Sequence, residues 1–597
     1  MSMLLARDGM LCVLDCYHEK DKVKKIGAIW HRDSKLWVMP LTLSNVEAAL
    51  DVLDDPAIES TLEEALTAQQ KKEDRLYQIA RLSKTDEPVR LRIPGLKIPL
   101  YNYQKLGVMF AMTNGDGVLI ADEMGLGKTP TSIAATLFRK NRNNCKRCLI
   151  VVPAAVKWNW PIEIEKFSEE PYVVIDGLPD SRVKQWLGKL ICLRQSSGNY
   201  KYRSGEPFFY VVNYELLTQD LFGGKNIEVK ADDSVATAQR KIKQINKAKE
   251  REGKLSSARE RVWGCMIVDE IHYAKNHNSK RTRNLKKMKS VFRLGLTGTP
   301  LDGKLEELHS VMQFIKPGLF TGKTRFLQRH ADFDFWGRVT RYKRIDEVRE
   351  KIKPFFIRRL KKDVMKDLPD KTYQNRYIEF NPQERKIYES IADRKHPVTE
   401  DSEAMVKVIR CKQFCDHPSL VGEICKSSKM DMFIEIVSEL IRYNGEKVII
   451  FSQYKKMLDI IDEELKKQKF TFLRIDGDTK PKIRASYQAE FNNNPKIDAI
   501  IGTEAMSTGL NLQGATYVIN YDDNWAPAIM RQREDRAHRD GQKNAVTVIN
   551  FICRDTIEER IRDVLFSKES VSSETLGDET DEMVLKRLGP QDMAKLV

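Results

Sequence analysis

The chain has 597 residues, of which 41% are hydrophobic and 31% are charged. This length exceeds what one hydrophobic core usually serves, so several domains of roughly 100–200 residues are expected, and the composition excludes a disordered chain. Lys and Arg number 101 against 85 Asp and Glu, which gives a formal net charge of +16 and makes a polyanion a candidate partner.

The sequence shows no pattern for a membrane span, a secretory leader or a disulfide framework. Its apolar runs stay short of the roughly 18 residues of a membrane helix, and its start lacks the layout of a signal peptide. The ten cysteines include a single CxxC, at Cys145 and Cys148, which favours buried thiols over a metal site. We therefore expect an intracellular monomer without a membrane partner. Its expected place is the cytoplasm or nucleoid of a bacterium or a virus-infected bacterial cell, with a nucleus as the alternative.

Residues 1–55 alternate two strand patterns with two helical patterns, which predicts a small N-terminal α+β module. Lysines and an arginine lie near Trp30 and Trp37 in this module. Positive charge beside aromatic rings suits branched or single-stranded DNA, whereas the alternative is that both tryptophans are core residues of a small domain. Residues 56–94 follow as a predicted helical linker.

The segment ADEMGLGKTP (121–130) follows a short apolar run and precedes residues 131–138, which have helical spacing. Strand, glycine-rich loop and helix in this order predict a phosphate-binding loop. The residues for its roles are Gly125, Gly127, Lys128 and Thr129. In such a loop the backbone N–H groups surround the phosphates, the lysine reaches the outer phosphates, and the hydroxyl group holds Mg²⁺. The first glycine of the usual pattern is Asp122 here, and a chance glycine-rich turn is the alternative.

Asp269 and Glu270 follow another apolar run, residues 265–268, which predicts a buried parallel strand. The carboxyl ends of such strands are where ligands bind in open α/β sheets. Asp269 can hold Mg²⁺ and Glu270 can polarise the attacking water, while a solvent-facing acidic strand end is the alternative. The preceding lysine-rich stretch, 239–261, predicts a charged helical insertion that is either a solvated surface helix or a DNA clamp.

The second half of the chain predicts a second parallel sheet. Apolar runs at 447–452, 498–503 and 516–521 alternate with helical or turn segments. This half carries no phosphate loop of its own, so the nucleotide is expected between two lobes.

The segment MRQREDRAHRDGQ (530–542) offers cationic groups to that nucleotide. Gln532, Arg536 and Arg539 are spaced by four and three residues, which predicts one face of a helix. Guanidinium groups aimed at the γ-phosphate stabilise charge in the transition state of hydrolysis, whereas a solvated basic helix face is the alternative. Beyond it, residues 566–597 are predicted to form a C-terminal tail that braces or inhibits the rest of the chain, or frays.

Eight motifs occur in an order that resembles the Swi/Snf-related ATPases of helicase superfamily two. They are YNYQ, ADEMGLGKT, LIVVPAAVKWNW, VDEIH, LTGTP, KVIIFSQY, STGLNLQGATYVINYDDNW and QREDRAHRDGQ. Two further stretches, FFIRRLKKDVMKDLPDK and CDHPSL, resemble the Swi/Snf branch in particular. The resemblance implies an α/β fold with two RecA-like P-loop lobes, at 95–320 and 441–565. It also implies helical protrusions and an inter-lobe connector at 321–440.

The resemblance also implies ligands and binding residues. ATP and Mg²⁺ are the expected cofactors, with Gln104 on the adenine and Tyr101 stacking on its ring. The family's nucleic-acid path corresponds here to Lys157, Trp158, Asn159, Thr299, Gln453, Tyr454, Ser507, Thr508, Gly509 and Asn511. Such side chains contact phosphates without reading bases, although a structural role is the alternative for each.

The N-terminal module resembles the small HARP-type modules of annealing helicases that remodel replication forks. The main hypothesis is therefore a DNA-dependent ATPase that translocates on double-stranded or forked DNA and remodels or reanneals branches, with single-stranded DNA as a further ligand. The alternatives are a protein-displacing DNA translocase and an ATP-gated DNA-binding clamp. No protein partner can be named from the sequence.

Overall fold

The computed structural model describes residues 2–7, 10–32, 34–41, 43–54, 56–83, 85, 87–195, 200–223, 250–251, 253–298, 304–335, 337, 339–365, 368–393, 400–507, 509–524, 527–539, 541–542 and 544–562. Among these residues, none of the helices is both long and apolar enough to span a bilayer. The predicted C-terminal tail lies outside the described residues, as does most of the predicted insertion. Within that insertion, residues 250–251 and 253–259 are helical.

The N-terminal residues form a five-stranded sheet with strand order β3-β4-β2-β1-β5. Its strands are β1 (Met3–Arg7), β2 (Met10–Leu14), β3 (Ile29–His31), β4 (Leu36–Pro40) and β5 (Ala57–Ile58). Two helices accompany the sheet, α1 (Lys20–Lys25) and α2 (Leu43–Val52). A long helix, α3 (Ser60–Leu82), leads from this module to the first lobe. The sequence predicted only two strands in this module. The edge strands β3 and β5 have three and two residues and carry little periodic signal, and β1 is an internal strand that the prediction missed.

Lobe 1 is built on a seven-stranded sheet with order β18-β6-β15-β13-β7-β11-β8, in which every pair of neighbours is parallel. The strands are β6 (Gly117–Ile120), β7 (Cys148–Val152), β8 (Tyr172–Val174), β11 (Phe209–Asn213), β13 (Cys265–Val268), β15 (Arg293–Leu296) and β18 (Phe356–Ile357). Both faces of the sheet are covered. Val118 and Ile120 belong to one apolar cluster and Leu119 to the other, as the two-residue period of a strand requires. Double burial explains why these strands read as unbroken apolar runs in the sequence.

Lobe 2 is built on a six-stranded parallel sheet with order β19-β24-β23-β20-β22-β21. The strands are β19 (Lys371–Ile378), β20 (Val448–Phe451), β21 (Phe472–Ile475), β22 (Ala499–Gly502), β23 (Tyr517–Asn520) and β24 (Val546–Cys553). The three apolar runs predicted as strands in this half are β20, β22 and β23. The predicted α/β class with two parallel sheets of the RecA-like type is confirmed.

Short two-stranded sheets and helices complete the two lobes. The remaining strands are β9 (Leu190–Arg194), β10 (Tyr200–Ser204), β12 (Val262–Trp263), β14 (Lys289–Ser290), β16 (Ala331–Phe333) and β17 (Val339–Tyr342). The lobe 1 helices are α4 (Asn102–Asn114), α5 (Lys128–Asn141), α6 (Asn159–Phe167), α7 (Pro179–Trp186), α8 (Tyr214–Phe222), α9 (Lys280–Lys287), α10 (Leu305–Ile315), α11 (Lys323–His330) and α12 (Ile345–Ile352). The later helices are α13 (Lys361–Val364), α14 (Pro382–Asp393), α15 (Glu400–Asp416), α16 (Ser428–Ser438), α17 (Lys455–Lys467), α18 (Pro481–Asn493) and α19 (Pro527–Glu534).

The segment predicted as protrusions and connector, 321–440, divides between the two lobes. Phe326 and Val348 pack into the core of lobe 1, and Phe414 and Phe433 pack into the core of lobe 2. Strand β18 is an edge of the lobe 1 sheet and β19 is an edge of the lobe 2 sheet. The chain therefore passes from one lobe to the other between residues 357 and 371.

Candidate active site

A cavity of about 680 Å³ lies between the two lobes. Its lobe 1 wall includes Gly125, Gly127, Lys128, Thr129, Asp269 and Glu270. Its lobe 2 wall includes Gln532, Arg536 and Arg539. The structure therefore brings together the residues that the sequence predicted for the phosphate loop, the acidic pair and the arginine segment.

The phosphate loop connects β6 to α5. Gly125 and Gly127 have φ angles of +88° and +72°, which favour glycine, and a Cβ atom at Gly127 would lie 2.3 Å from Nε2 of Gln104. The Nζ group of Lys128 donates hydrogen bonds to the carbonyl oxygens of Asp122, at 2.8 Å, and Glu123, at 3.3 Å. Burial lowers the pKa of Lys128, although Glu270 and the other nearby carboxylates oppose this effect. The amine is thus held inside the curve of the loop beside the acidic pair.

The residue that replaces the usual first glycine, Asp122, is fully buried and forms an ion pair with the fully buried Arg359. The guanidinium Nε of Arg359 donates to Oδ1 of Asp122 at 2.8 Å, and its Nη2 donates to Oδ2. The sequence identified this departure from the pattern but not its partner, which lies 237 residues further along the chain.

The acidic pair stands at the carboxyl end of β13. The Oδ2 atom of Asp269 accepts a hydrogen bond from Nε1 of Trp160 at 2.9 Å, and its Oδ1 accepts one from the backbone N–H of Glu270 at 3.0 Å. Burial and the neighbouring Glu270 raise the pKa of Asp269 to about 6. The pKa of Glu270 is lowered: burial acts to raise it, but His272, 3.3 Å away, and Lys128 outweigh this effect.

Trp160 is a site residue that sequence reasoning missed. It directly follows Lys157, Trp158 and Asn159, which were predicted to contact nucleic acid. Since α6 begins at Asn159, Trp160 lies in its first turn and lines the cavity, whereas Lys157 and Trp158 precede the helix and do not line it. No signal in the sequence pairs an indole with an acidic residue 109 positions away.

The arginine segment differs from its prediction. Helix α19 ends at Glu534, so Arg536 and Arg539 lie in turns after the helix, and the predicted single helical face is wrong. Both arginines donate a hydrogen bond to the carbonyl oxygen of Leu510, at 3.0 and 3.2 Å. The Nη2 of Arg536 lies 3.4 Å from Sδ of Met124 in the phosphate loop. Burial and Arg539 lower the pKa of Arg536 to about 10, which leaves it charged at neutral pH.

The predicted adenine residues lie at the same cavity. Gln104 is buried at the start of α4, where its Oε1 accepts from the backbone N–H of Tyr101 at 3.1 Å and its Nε2 donates to the carbonyl of Leu126 at 3.2 Å. Tyr101 is 51% exposed and stacks on Tyr103, with ring centroids 5.7 Å apart. An exposed ring in the cavity wall is suited to stacking on a base, and this role stays a prediction.

In lobe 1, two of the residues predicted to contact nucleic acid are buried. The Nζ of Lys157 pairs with Asp176 at 3.0 Å, and the side chain is 6% exposed. Trp158 is also 6% exposed and packs on Tyr200 at 4.9 Å between ring centroids. The geometry favours the structural alternative for both residues, because their polar and aromatic groups point into lobe 1.

Other predicted nucleic-acid residues meet at the boundary between the lobes or within lobe 2. Asn159 donates from Nδ2 to the carbonyl of Gly509 across the two lobes, and both residues line the cavity together with Asn511. Gln453 accepts from Nζ of Lys412 at 2.7 Å. Tyr454 is half-buried and directly precedes α17, and Ser507 is buried. Thr299 and Thr508 lie outside the described residues.

The two tryptophans of the N-terminal module form a cross-strand pair. Trp30 and Trp37 are directly opposed on β3 and β4, with ring centroids 5.5 Å apart. Trp30 is 45% exposed, whereas Trp37 packs against the module's core. The alternative that both are core residues is therefore wrong for Trp30. Four lysines of α1 are exposed on the same module, at positions 20, 22, 24 and 25.

Two parallel sheets around one cavity, with a phosphate loop on one side and arginines on the other, define a two-lobed P-loop ATPase of the helicase type. The model of the SNF2-related domain matches residues 101–430, more than half of the chain, and that of the helicase conserved C-terminal domain matches residues 428–541. This chain belongs to the SNF2-related family.

Several curated proteins are similar to the chain. An uncharacterised ATP-dependent helicase of Mycoplasma pneumoniae is 30% identical over 491 residues, covering 80% of this chain and 42% of that protein. A human SWI/SNF-related, matrix-associated, actin-dependent regulator of chromatin, subfamily A member 1, is 29% identical over 78% of this chain and 42% of its own length. Protein CHROMATIN REMODELING 5 of Arabidopsis thaliana is 27% identical over 93% of this chain and 31% of its own length. The chain thus spans less than half the length of these relatives.

The predicted membership of the Swi/Snf-related family is thereby confirmed.

Proposed function

We propose that this protein is a DNA-dependent ATPase that translocates on double-stranded or forked DNA and remodels or reanneals branched DNA. One observation carries the proposal: a phosphate loop, an acidic pair and two arginines from different lobes face a single cavity. Because the arginines come from the opposite lobe, hydrolysis depends on the distance between the lobes. A motor that couples hydrolysis to movement requires this dependence.

The residues of the cavity divide the work of hydrolysis. Lys128 and the backbone N–H groups of the phosphate loop bind the outer phosphates. Glu270, whose pKa is lowered, stays ionised and orients the attacking water. Arg536 and Arg539 stabilise the charge that develops on the γ-phosphate, an effect worth roughly 10³–10⁵ in rate in other NTPases.

The chemistry of the donor set fits Mg²⁺. Asp269 and Thr129 line the same cavity, and burial together with Glu270 raises the pKa of Asp269, so a bound cation would stabilise the charged form of this carboxylate. Asp269 and the hydroxyl of Thr129 would hold the ion, with the Trp160 indole fixing the carboxylate. When bound, Mg²⁺ neutralises phosphate charge.

The proposed DNA partner is supported by charge and by the N-terminal module. The chain carries a net charge of +16. The module exposes a basic helix and the ring of Trp30, a combination of phosphate contact and stacking surface that suits single strands at a fork. Its likeness to HARP-type modules belongs to this proposal as well.

The first experiment measures the ATP hydrolysis rate of the purified chain with no nucleic acid, single-stranded DNA, blunt duplex, forked DNA or RNA, alongside Lys128→Ala. The proposal expects strong stimulation by duplex or fork that the variant loses. Equal rates with and without every polymer would contradict it and favour an ATP-gated clamp.

A protein-displacing DNA translocase is the second candidate, favoured because the human and Arabidopsis relatives are named for chromatin regulation and remodelling. Trp30→Ala separates the candidates, with Tyr443→Ala as the control because Tyr443 is an exposed aromatic residue of lobe 2. A fork remodeller loses its preference for forked over blunt DNA in Trp30→Ala and keeps it in Tyr443→Ala. An unchanged preference in both variants favours the protein-displacing motor.

A further inference from the structure

The segment that joins β18 to β19 is residues 358–370, of which the structure describes 358–365 and 368–370; we call it the connector. The start of the connector follows the phosphate loop closely. Strand β18 pairs with β6, and the pairing continues past both strands. The backbone N–H of Ala121 donates to the carbonyl of Ile357 at 2.8 Å, and that of Glu123 donates to the carbonyl of Arg359 at 3.0 Å. The carboxylate of Glu123 then accepts from the backbone N–H of Lys361 at 2.7 Å. The connector is thus fixed to the base of the phosphate loop by its backbone.

Side chains strengthen this attachment at Arg359. Its guanidinium group pairs with Asp122 and donates a further hydrogen bond to the carbonyl of Tyr103 in α4. Both charged residues are fully buried. Arg359 thereby connects the connector to the phosphate loop and to α4, whose first residues lie at the nucleotide cavity.

Two positions further along, Lys361 crosses to lobe 2. Its Nζ donates to Oδ1 of Asp535 at 2.7 Å and to the carbonyl of His538 at 2.6 Å. Asp535 directly precedes Arg536, and His538 directly precedes Arg539. The side chain of Lys361 also lies under the loop, since a Cβ atom at Gly125 would be 3.3 Å from its Cε. A single lysine therefore touches the phosphate loop and the turns that carry both arginines.

We propose that Lys361 is a positioning residue for ATP hydrolysis, which sets the arginine segment of lobe 2 against the phosphate loop of lobe 1 when the lobes close. This inference rests on the proposed ATPase function. Lys361 does not face the cavity; it acts through Asp535 and His538. When the connector moves with the lobes, Lys361 shifts Asp535 and His538. Arg536 and Arg539, which directly follow these two residues, shift with them.

Lys371 offers a matched control. Its Nζ also pairs with Asp535, at 3.1 Å, and with Glu534, at 2.8 Å. It belongs to β19, however, so this contact stays inside lobe 2. Replacing either lysine with Met removes one cation from Asp535 and leaves the other, which avoids an unpaired buried carboxylate. Of the two replacements, only Lys361→Met removes a contact between the connector and lobe 2.

The experiment compares kcat for ATP and the Kd of a non-hydrolysable ATP analogue in the wild type, Lys361→Met, Lys361→Arg and Lys371→Met. We expect Lys361→Met to lower kcat by up to about 10²-fold, which is the loss typical when catalytic groups are displaced from the reacting atoms, while the Kd of the analogue changes little. Lys361→Arg should recover most of the rate. A kcat for Lys361→Met within twofold of the wild type, or an equal loss in Lys371→Met, would overturn the inference.

A second measurement does not require hydrolysis. Spin labels on cysteines introduced at Leu178 and Tyr443, which are 78% and 84% exposed in lobe 1 and lobe 2, report the distance between the lobes. With the ATP analogue bound, we expect Lys361→Met to broaden the distance distribution and Lys371→Met to leave it narrow. Unchanged distributions in both variants would refute the link. A wild type that closes on the analogue but hydrolyses no ATP with any polymer would instead contradict the proposed function.

Discussion

Asp269→Asn should stabilise the nucleotide-free protein although it removes a residue needed for hydrolysis. The pKa of Asp269 is raised from 3.8 to about 6, because burial and Glu270 oppose its ionisation. A shift of about two units corresponds to about 3 kcal/mol of destabilisation when the group is ionised. The carboxyl group is partly exposed to the cavity, so solvent screening reduces the gain from its removal to about 2 kcal/mol.

The sign of the pH dependence follows from the raised pKa. Below pH 4 the carboxyl group is protonated in both the folded and unfolded states, and the substitution should change little. Between about pH 4 and pH 6 the folded state holds the proton more tightly, so the stability of the wild type falls relative to the variant as the pH rises. Above pH 6 the full difference is present.

Thermal unfolding without nucleotide at pH 4 and pH 7.5 measures this effect. If lobe 1 unfolds as one unit, a gain of about 2 kcal/mol in its free energy of unfolding raises Tm by about 4–8 °C. Glu270→Gln is the comparison variant, because the pKa of Glu270 is lowered: its loss removes a compensated charge while it relieves the repulsion of Asp269, so it should raise Tm less than Asp269→Asn does. The reasoning fails if Asp269→Asn leaves Tm unchanged at pH 7.5, or raises it equally at pH 4.

Three further substitutions have defined outcomes. Arg359→Met should cost about 3–5 kcal/mol of stability because it leaves the buried Asp122 carboxylate unpaired, and chemical denaturation should show partial recovery when Asp122→Asn is added. Gly127→Ala should weaken ATP binding at least tenfold, or about 1.4 kcal/mol, since its Cβ would displace Gln104; calorimetry with unchanged affinity would contradict this. Trp160→Phe should raise the Mg²⁺ concentration for half-maximal ATPase activity about tenfold by removing a hydrogen bond to a charged carboxylate, and an unchanged Mg²⁺ titration would exclude that role.

The parallel strands and the phosphate loop could be predicted from the sequence because their signals are local. Strands buried on both faces read as continuous apolar runs, as CLIVV does in β7, and the loop needs its glycines at fixed spacing. The acidic pair could be placed because it directly follows such a strand.

The arginine segment could not be predicted in full, because distant contacts decide its shape. Spacing alone favoured one helix through Gln532, Arg536 and Arg539. In the structure, Lys361 and Lys371 hold the carboxylate of Asp535 just beyond the end of α19. Tertiary ion pairs of this kind override local helix propensity.

The direction in which side chains point was the other property that the sequence could not predict. Lys157 and Trp158 match positions that contact nucleic acid in the family, yet both point into lobe 1. A motif fixes residue type and order, whereas the facing of a side chain depends on the packing around it. The same limit concealed Trp160, whose role depends on a contact with Asp269.

The central claim, ATP-driven movement along duplex DNA, is tested most directly by displacement of the third strand from a DNA triplex. The account predicts that the protein releases this strand when ATP is present, and that release is lost with a non-hydrolysable analogue or in Lys128→Ala. Release that is equally fast without ATP, or ATP hydrolysis stimulated by duplex without any release, would contradict the account.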